Sequence, residues 1–291
     1  MADGNGPWLD DLAQLLDAIA CEWDLTLGAP LRGGVCSVVV EATRSDGSPA
    51  VLKVGVPGSD RDLGYEATTL RLSGGDPCVR LLLEDLERNA LLLERLGATM
   101  FDSVQDVAAR HDLLCDLASR MWRPLPADAD LPTGAQRASE YATVMPLLWE
   151  ETGRPCAWPT VEDAIACAER RADAHDDRRA VLVHGDIHDA NALRAAEGGF
   201  RLIDPGGLRA EPACDLGTLL RCNPDAGDDL RRRARRLAAR TGVDEHAIWE
   251  WGTVHRVVSG LFSRRIGFQP FGDLLLAEAD RLVERAVGRE H

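Results

Sequence analysis

The sequence contains almost no lysine. Lysine and arginine together number 33 in the 291 residues, and only Lys53 is lysine, so the other 32 are arginine. No two cysteines have the two-residue separation typical of zinc and redox motifs, and no apolar run approaches the roughly 18 residues of a membrane span. These absences argue against a zinc protein, a thiol oxidoreductase and a membrane-spanning protein.

The charge balance is strongly acidic, with a formal net charge of −15 at pH 7. Because binding to nucleic acid depends on neutralising phosphates, we expect no nucleic-acid partner, and the acidic balance favours a cationic small-molecule substrate. The eight cysteines are expected to be mostly buried thiols in a reducing compartment. The N-terminus has no basic and apolar leader, so the sequence predicts a cytoplasmic protein, monomeric by default.

The first 97 residues are predicted to be rich in strands. A helix over 8–23 precedes a turn with Gly33 and Gly34, which leads through Ser37 into a β-branched run. Lys53 lies on the next strand. A helix over 61–72 carries Glu66, and hairpin strands over 78–86 and 89–93 lead to a polar end that includes Glu94 and Leu96. We expect Glu66 to pair with Lys53, the alternative being a solvated glutamate.

From residue 98 onwards the patterns are mainly helical. Helices are predicted over the following segments: 103–121 with Ser103 as its N-cap, 137–150, 160–179, 215–222, 228–240, 244–262 and 271–287. The sequence therefore predicts an α+β chain with a small N-terminal lobe over 1–97 and a larger, mainly helical lobe over 98–291. The arginine run over 231–236 is expected to be a solvated helix face.

One stretch, 181–206, carries side chains suited to phosphoryl transfer. Asp186 follows three apolar residues, Asn191 comes five positions later, and Asp204 ends a second apolar strand. Metal-assisted phosphoryl transfer needs a carboxylate at the attacking hydroxyl, oxygen ligands for the metal and cations on the phosphates. Asp186 fits the first role, and Asn191 and Asp204 offer oxygen atoms suited to magnesium. Lys53 offers a compact ammonium that can reach phosphate oxygens as a point charge.

Other polar residues near this stretch are expected to be structural. His184 and His188 have the even spacing of a metal pair, but without a cysteine partner we expect them to make structural hydrogen bonds. Asp189 is interpreted as a loop carboxylate. Asp215 is expected either to cap a helix or to hold the preceding loop. The tryptophans, acids and histidine within 245–255 are expected to pack between helices rather than to face a cationic sugar.

These motifs resemble the aminoglycoside phosphotransferase family, most closely its streptomycin 6-kinase and hydroxyurea phosphotransferase branch. The likeness covers about residues 20–225. It rests on His184-Gly185-Asp186 with Asn191, on the segments 203–206 and 211–221, and on Lys53, Glu66 and the segment 91–96. It implies a two-lobed protein-kinase-like fold, with an antiparallel sheet in the small lobe, and ATP and Mg²⁺ as cosubstrate and cofactor.

The resemblance also implies a role for each site residue. Asp186 is the catalytic base, Asn191 and Asp204 are metal ligands, and Lys53 binds the nucleotide phosphates. The nucleotide set in the lobe over 1–97 is completed by Glu66, by Gly33, Gly34 and Ser37 of the turn, and by the main-chain groups of Glu94 and Leu96, which face adenine. The lobe over 98–291 holds the catalytic and substrate-binding residues. The favoured acceptor is an aminocyclitol like streptomycin.

Three alternatives stay open beside this function. The chain could phosphorylate another small natural product or metabolite. A protein kinase is disfavoured because the residues after Asp204 enter a helix within about ten positions, which leaves no room for a long activation segment. A non-catalytic nucleotide- or drug-binding relative is disfavoured because no expected polar group is missing.

Overall fold

The computed structural model describes residues 6–31, 36–58, 63–224 and 229–287. Contacts within the chain divide it into two units, Met1–Ala98 with Leu193–Gly206, and Thr99–Ala192 with Gly207–His291. The sequence predicted a single boundary between residues 97 and 98. The two units differ from this prediction because the segment Leu193–Gly206 belongs to the first unit. The functions predicted for the two lobes stay predictions.

The first unit is built on a five-stranded antiparallel sheet with strand order β1-β2-β3-β5-β4. Its elements up to residue 94 are α1 (Gly6–Glu22), β1 (Leu25–Pro30), β2 (Ser37–Arg44), β3 (Pro49–Gly55), α2 (Leu63–Ser73), β4 (Leu81–Asp85) and β5 (Ala90–Glu94). Side chains alternate between the two faces of a strand, so Leu52 and Val54 of β3 pack into a core with Ile19 of α1, and Lys53 lies on the opposite face.

A short hairpin joins the later segment to this unit. It consists of β7 (Ala192–Arg194) paired with β8 (Phe200–Leu202). The amide of Leu202 donates to the carbonyl of Pro77 at 2.9 Å, and the amide of Gly97 donates to the carbonyl of Arg194 at 2.8 Å. These main-chain bonds explain why the residues that follow β8 belong with the sheet rather than with the helices.

The second unit is mainly helical. Its helices are α3 (Met100–Ser103), α4 (Val107–Met121), α5 (Gly134–Glu151), α6 (Trp158–Asp173), α7 (Ala213–Arg221), α8 (Leu230–Thr241), α9 (Glu245–Arg265) and α10 (Phe271–Val287). Two short strands, β6 (Val181–Val183) and β9 (Leu208–Ala210), pair antiparallel. Helix α9 is buried along most of its length and packs against α5, α6, α7, α8 and α10. A Cβ at Gly217 would lie 2.4 Å from the Cβ of Trp251, so only glycine allows α7 to approach α9 this closely.

Two predicted helix ends are wrong. Ser103 does not cap the helix that follows; it ends α3, and its Oγ donates to the carbonyl of Thr99 at 2.7 Å. The N-cap of α4 is Asp106, whose carboxylate accepts from the amides of the first turn. Extended backbone at Val104 separates the two helices. Helix α6 ends at Asp173, six residues before the predicted end, because the chain turns at 176–180.

The arginine run over 231–236 was predicted to be a solvated helix face, but two of its side chains are not fully solvated. Arg233 is 2% exposed and donates to the carbonyls of Leu219 and Cys222 at 3.1 and 2.6 Å. Arg236 is partly buried, with its Nη2 3.0 Å from Nδ1 of His111. The prediction fails at these two arginines because the inward face of α8, which repeats every three to four residues, passes through the run.

The expectation that most cysteines are buried thiols is confirmed. No disulfide forms among the described residues, and six of the eight cysteines are buried. Within the described ranges, no helix has the length and apolar character needed to cross a membrane.

Candidate active site

Lys53 is the centre of a buried ionic cluster in the first unit. Its Nζ lies 2.8 and 2.6 Å from the two carboxylate oxygens of Glu66, and 2.7 Å from Oδ1 of Asp204. The side chains of Lys53 and Glu66 are 3% and 0% exposed, whereas that of Asp204 is 31% exposed. The ion pair predicted between Lys53 and Glu66 is confirmed. The carboxylate of Asp204 is the member of the cluster that solvent or a ligand can reach.

The charge state of the cluster follows from its composition. Burial by itself would lower the pKa of Lys53, because it removes water from the ammonium. The carboxylates of Glu66 and Asp204 outweigh that cost, so the pKa of Lys53 lies above its ordinary value. The lysine therefore stays charged, as a phosphate ligand requires.

The backbone at Asp204 has an uncommon conformation. Its φ is +57°, in the left-handed region that aspartate tolerates better than most residues with a side chain. The residue follows β8, and its carboxylate lies against Lys53 instead of continuing the strand. Such conformations often occur at functional sites, where the surrounding structure holds them in place.

The other predicted nucleotide residues of this unit are only partly described. Glu94 ends β5, and because its amide donates to the carbonyl of Arg80 at 3.0 Å, only its own carbonyl can take the predicted part in binding adenine. Ser37 begins β2. Gly33 and Gly34 lie outside the described residues. The predicted roles of Glu94, Leu96, Ser37 and the two glycines stay predictions.

In the second unit, a buried carboxylate holds the loop that carries Asp186. The carboxylate of Asp215 accepts hydrogen bonds from the amides of His184 and Gly185, at 3.1 and 2.8 Å. It also accepts one from Nε1 of Trp122 at 3.0 Å. Asp215 is fully buried, and the N-cap position of α7 belongs to another residue. Of the two roles considered for Asp215, the structure therefore supports the one that fixes the loop.

The neighbours of Asp186 within the loop are structural, as predicted. His184 is fully buried, and its Nδ1 accepts a hydrogen bond from the amide of Asp186 at 3.3 Å. Asp189 is buried and accepts from Nη1 of Arg110 at 2.6 Å. This ion pair joins α4 to the short 3₁₀ turn Asp189–Asn191. The sequence alone did not reveal Arg110 as the partner.

Asn191 is fixed by its own amide group. Its Nδ2 donates to the main-chain oxygen of Asp186 at 3.0 Å, and its side chain is largely buried. Because the nitrogen is used in this hydrogen bond, the amide oxygen is the atom left to bind a metal ion. One short segment therefore fixes both the carboxylate predicted as a base and the amide predicted as a ligand.

Arg221 is a functional candidate that the sequence did not assign. Its Nη2 donates to Oδ1 of Asp186, and its Nη1 donates to Oγ of Ser259 at 3.1 Å. The side chain of Arg221 is 15% exposed and that of Asp186 is 32% exposed. A guanidinium in contact with a carboxylate favours its ionised form, which is the form a general base needs. The only signal in the sequence was the position of Arg221 at the end of a segment that carries the family resemblance.

The oxygen donors of the two units fit magnesium. No group of three or more His, Cys, Asp or Glu side chains within the described ranges could hold a metal ion by itself. Mg²⁺ usually takes one or two protein oxygen ligands and completes its shell with water and substrate phosphates. The carboxylate of Asp204 and the amide oxygen of Asn191 are each a donor type that Mg²⁺ accepts, and their joint role as ligands stays a prediction.

The acidic and aromatic residues near the start of α9 pack inside the second unit. Glu250 is 0% exposed and forms an ion pair with Arg171 at 2.7 Å. Trp251 is 1% exposed and donates from Nε1 to Glu211 at 2.8 Å. His255 is 4% exposed. The expectation that these residues are structural is confirmed for Glu250, Trp251 and His255.

The buried position of Asp215 predicts an unusual pH dependence of stability. Burial raises its pKa from 3.8 to about 6, although the N–H donors from the loop oppose this. The folded state then binds a proton more tightly than the unfolded chain, so the contribution of Asp215 to the free energy of unfolding should fall as the pH rises from about 4 to about 6. The shift of about two pKa units corresponds to about 3 kcal/mol.

Urea unfolding of the wild type and of Asp215→Asn between pH 4 and pH 7 tests this prediction. The wild type should lose stability relative to the variant across that range. Asp116→Asn, at a side chain that is 61% exposed, serves as the control and should show no comparable trend. A difference between the wild type and Asp215→Asn that does not change with pH would contradict the prediction.

Comparison with known proteins identifies the family of this chain. The family model described as "Aminoglycoside/hydroxyurea antibiotic resistance kinase" matches residues 22–267. The chain is 28% identical to streptomycin 6-kinase of Streptomyces griseus, over 95% of this chain and 91% of that protein. It is 29% identical to hydroxyurea phosphotransferase of Kitasatospora aureofaciens, over 91% and 76% of the two chains.

The fold is also found in solved structures. Aminoglycoside phosphotransferase APH(3'')-Id from Streptomyces rimosus, in complex with ADP and streptomycin, matches with a TM-score of 0.60 and 18% identity, over 85% of this chain and 98% of that one. The predicted protein-kinase-like fold, with an antiparallel sheet followed by a mainly helical part, is confirmed. Because the family model spans most of the sequence, the chain belongs to the aminoglycoside/hydroxyurea antibiotic resistance kinases.

Proposed function

We propose that this protein is an ATP-dependent O-phosphotransferase that transfers the γ-phosphoryl group to a hydroxyl of a small molecule. The observation that carries the proposal is the buried Lys53–Glu66 ion pair with Asp204 on the same ammonium. It combines a fixed cation for phosphate oxygens with a reachable carboxylate for a metal ion. Family membership and the names of the relatives support the same reaction.

Each residue has a defined part in this reaction. Asp186 accepts the proton, or the hydrogen bond, of the attacking hydroxyl, and Arg221 keeps its carboxylate ionised. Lys53 binds phosphate oxygens of ATP as a point charge. Asp204 and Asn191 hold Mg²⁺, which when bound neutralises the charge on the phosphate oxygens.

The proposed acceptor is an aminoglycoside related to streptomycin. Two relatives are named for their action on streptomycin at the 6-position, and a third is named for hydroxyurea. The net charge of −15 is compatible with attraction of a cationic antibiotic. Another small hydroxylated natural product is the second candidate, because the hydroxyurea relative shows that close family members differ in acceptor.

A protein acceptor is disfavoured by the length of the segment after Asp204. Helix α7 begins at Ala213, and β9 occupies part of the interval between them. A long activation segment, which protein kinases use to regulate access, does not fit in this interval. The proposal therefore specifies a small molecule.

An ATP-consumption screen tests the proposed function. The panel comprises streptomycin, hydroxyurea, other aminoglycosides, choline and a serine-containing peptide, and mass spectrometry locates the added phosphate. We expect turnover with streptomycin or hydroxyurea and none with the peptide. Binding of Mg²⁺-ATP without transfer to any acceptor would instead support a non-catalytic relative.

Replacement of Arg221 by methionine should change the pH dependence of activity. Without the guanidinium, the ionised form of Asp186 is less stable, so the acidic limb of the kcat profile should move to higher pH. Arg240→Met is the control, since its partner Asp116 is exposed and belongs to no part of the proposed site. An acidic limb that stays in place in Arg221→Met would show that the contact does not tune the base.

A further inference from the structure

Tyr141 lies on the inward face of α5 without being fully buried. The buried residues Gly134, Ala138, Met145 and Leu148 recur at helical spacing, and Tyr141 falls on the same face. It nevertheless remains partly exposed. Its phenol hydroxyl makes no hydrogen bond within the described ranges, although enclosed tyrosine hydroxyls usually find a partner. Tyr141 is therefore partly accessible, and its hydroxyl is available to a ligand.

A chain of contacts links this tyrosine to the proposed base. The ring of Tyr141 meets the ring of His255 edge-on, with centroids 5.8 Å apart. Ser259 lies one helical turn beyond His255 on α9, and its hydroxyl accepts from Arg221 at 3.1 Å. The other terminal nitrogen of that guanidinium, Nη2, donates to Asp186. Helices α5, α7 and α9 thus bring Tyr141 and Asp186 to the same region of the second unit.

Charges of both signs lie near the phenol: the guanidinium groups of Arg137 and Arg221, and the carboxylate of Asp186. Burial raises the pKa of Tyr141, so the phenol keeps its proton and can donate it in a hydrogen bond. Burial also lowers the pKa of His255 to about 3, so that imidazole is neutral. The guanidinium of Arg137 lies 5.8 Å from the centroid of the Tyr141 ring. The charge of Arg221 is paired with Asp186, so Arg137 is the other cation beside the ring.

We propose that Tyr141 binds the acceptor, donating a hydrogen bond from its phenol to a neutral oxygen of the substrate beside the hydroxyl that is phosphorylated. The inference rests on the proposed function, because it assumes an acceptor at Asp186. It adds a specificity residue and the chemistry of the group that this residue recognises.

Tyr141→Phe tests the proposal because it removes one oxygen atom and keeps the ring packed against His255. With streptomycin and hydroxyurea as acceptors, KM for the acceptor should rise about fivefold to tenfold, the effect of losing one hydrogen bond. KM for ATP, the rate of ATP hydrolysis without acceptor, and the thermal unfolding midpoint should not change. Tyr65→Phe removes the same atom from the other tyrosine of the chain, on α2, and should leave KM for the acceptor unchanged.

The outcomes separate this proposal from the function on which it rests. A wild-type protein that phosphorylates no small molecule of the screening panel contradicts the proposed function without any variant, and the acceptor site fails with it. If the wild type phosphorylates another member of the panel, that acceptor replaces streptomycin and hydroxyurea in the comparison. An active wild type with identical kinetics in Tyr141→Phe overturns only the role of Tyr141. A parallel rise in KM for ATP together with a lower unfolding midpoint overturns it too, since that pattern indicates a structural tyrosine.

Discussion

Asp186→Asn is expected to lower the rate of phosphoryl transfer by about 10²- to 10⁴-fold, the range typical for loss of a general base. The variant keeps the shape of the side chain, and its amide oxygen can still accept the hydrogen bond from Arg221. What it loses is the ability to take up the proton of the acceptor hydroxyl. The lysine cluster is unchanged, so the affinity for ATP should stay within about twofold of the wild type.

Two measurements together test this prediction. Mass spectrometry measures phosphorylated acceptor in single-turnover and steady-state reactions, and a fluorescent nucleotide measures ATP binding. Asp177→Asn, at a side chain that is 70% exposed, is the matched control and should retain full activity. If Asp186→Asn retained wild-type turnover, Asp186 would not be the base, and the assignment of the whole loop would have to be revised.

Lys53→Met is expected to abolish activity and to destabilise the first unit. The substitution leaves the fully buried carboxylate of Glu66 without its main cation. Breaking a buried ion pair on one side usually costs about 3–5 kcal/mol, because the remaining charge stays out of water. The loss of the cation should cost less free energy at Asp204, since part of its side chain reaches solvent. Urea unfolding and a phosphoryl-transfer assay measure the two effects.

A double variant separates stability from catalysis. In Lys53→Met with Glu66→Leu, both charges are gone and the volume is largely retained, so most of the lost stability should return. Activity should not return, because no cation remains for the phosphates. Recovery of activity in the double variant would show that Lys53 matters only for folding.

The single lysine also allows a test of charge type. Lys53→Arg keeps the positive charge, but a planar guanidinium is wider than an ammonium. The side chain of Lys53 is only 3% exposed, so the surrounding protein leaves little room for the wider group. We expect a loss of at least tenfold in kcat/KM. Arg44→Lys makes the reverse change at an exposed position and should have no effect. Full activity in Lys53→Arg would mean that the solitary lysine has no special role.

Many local features of this chain were predictable from its pattern. Glu66 lies on the helix that follows the strand of Lys53, where a kinase-like lobe has the partner of this lysine, so their pairing could be expected, and the pair is present. The errors arose where two local solutions were equally good. Ser103 and Asp106 are both suitable N-caps, and only the break at Val104 decides between them. Arg233 was taken as solvated because a charged run gives no sign of which of its members faces inward.

Apart from the Lys53–Glu66 pair, the ion pairs near the proposed base had no counterpart in the sequence pattern. Arg221 binds a carboxylate 35 positions away, and Arg110 binds one 79 positions away. Asp215 was expected either to cap a helix or to hold the preceding loop. Its burial and its hydrogen bonds from the loop amides show that it holds the loop. Tyr141 carried no signal at all, since a tyrosine at an inward helical position is usually part of a core.

The sequence by itself determined the chemical groups, the order of strands and helices, and the family, because these depend on residue type and on spacing within a few turns or strands. It supplied Asp186, Asn191, Asp204 and Lys53 as candidates. For every charge pair other than Lys53–Glu66, only the tertiary structure decided which charge neutralises which, and it alone decided which side chain stays accessible. Periodicity predicts that a residue faces inward, but it does not identify the partner, which lies on another element. In this protein the packing of α5, α7 and α9 selects that partner.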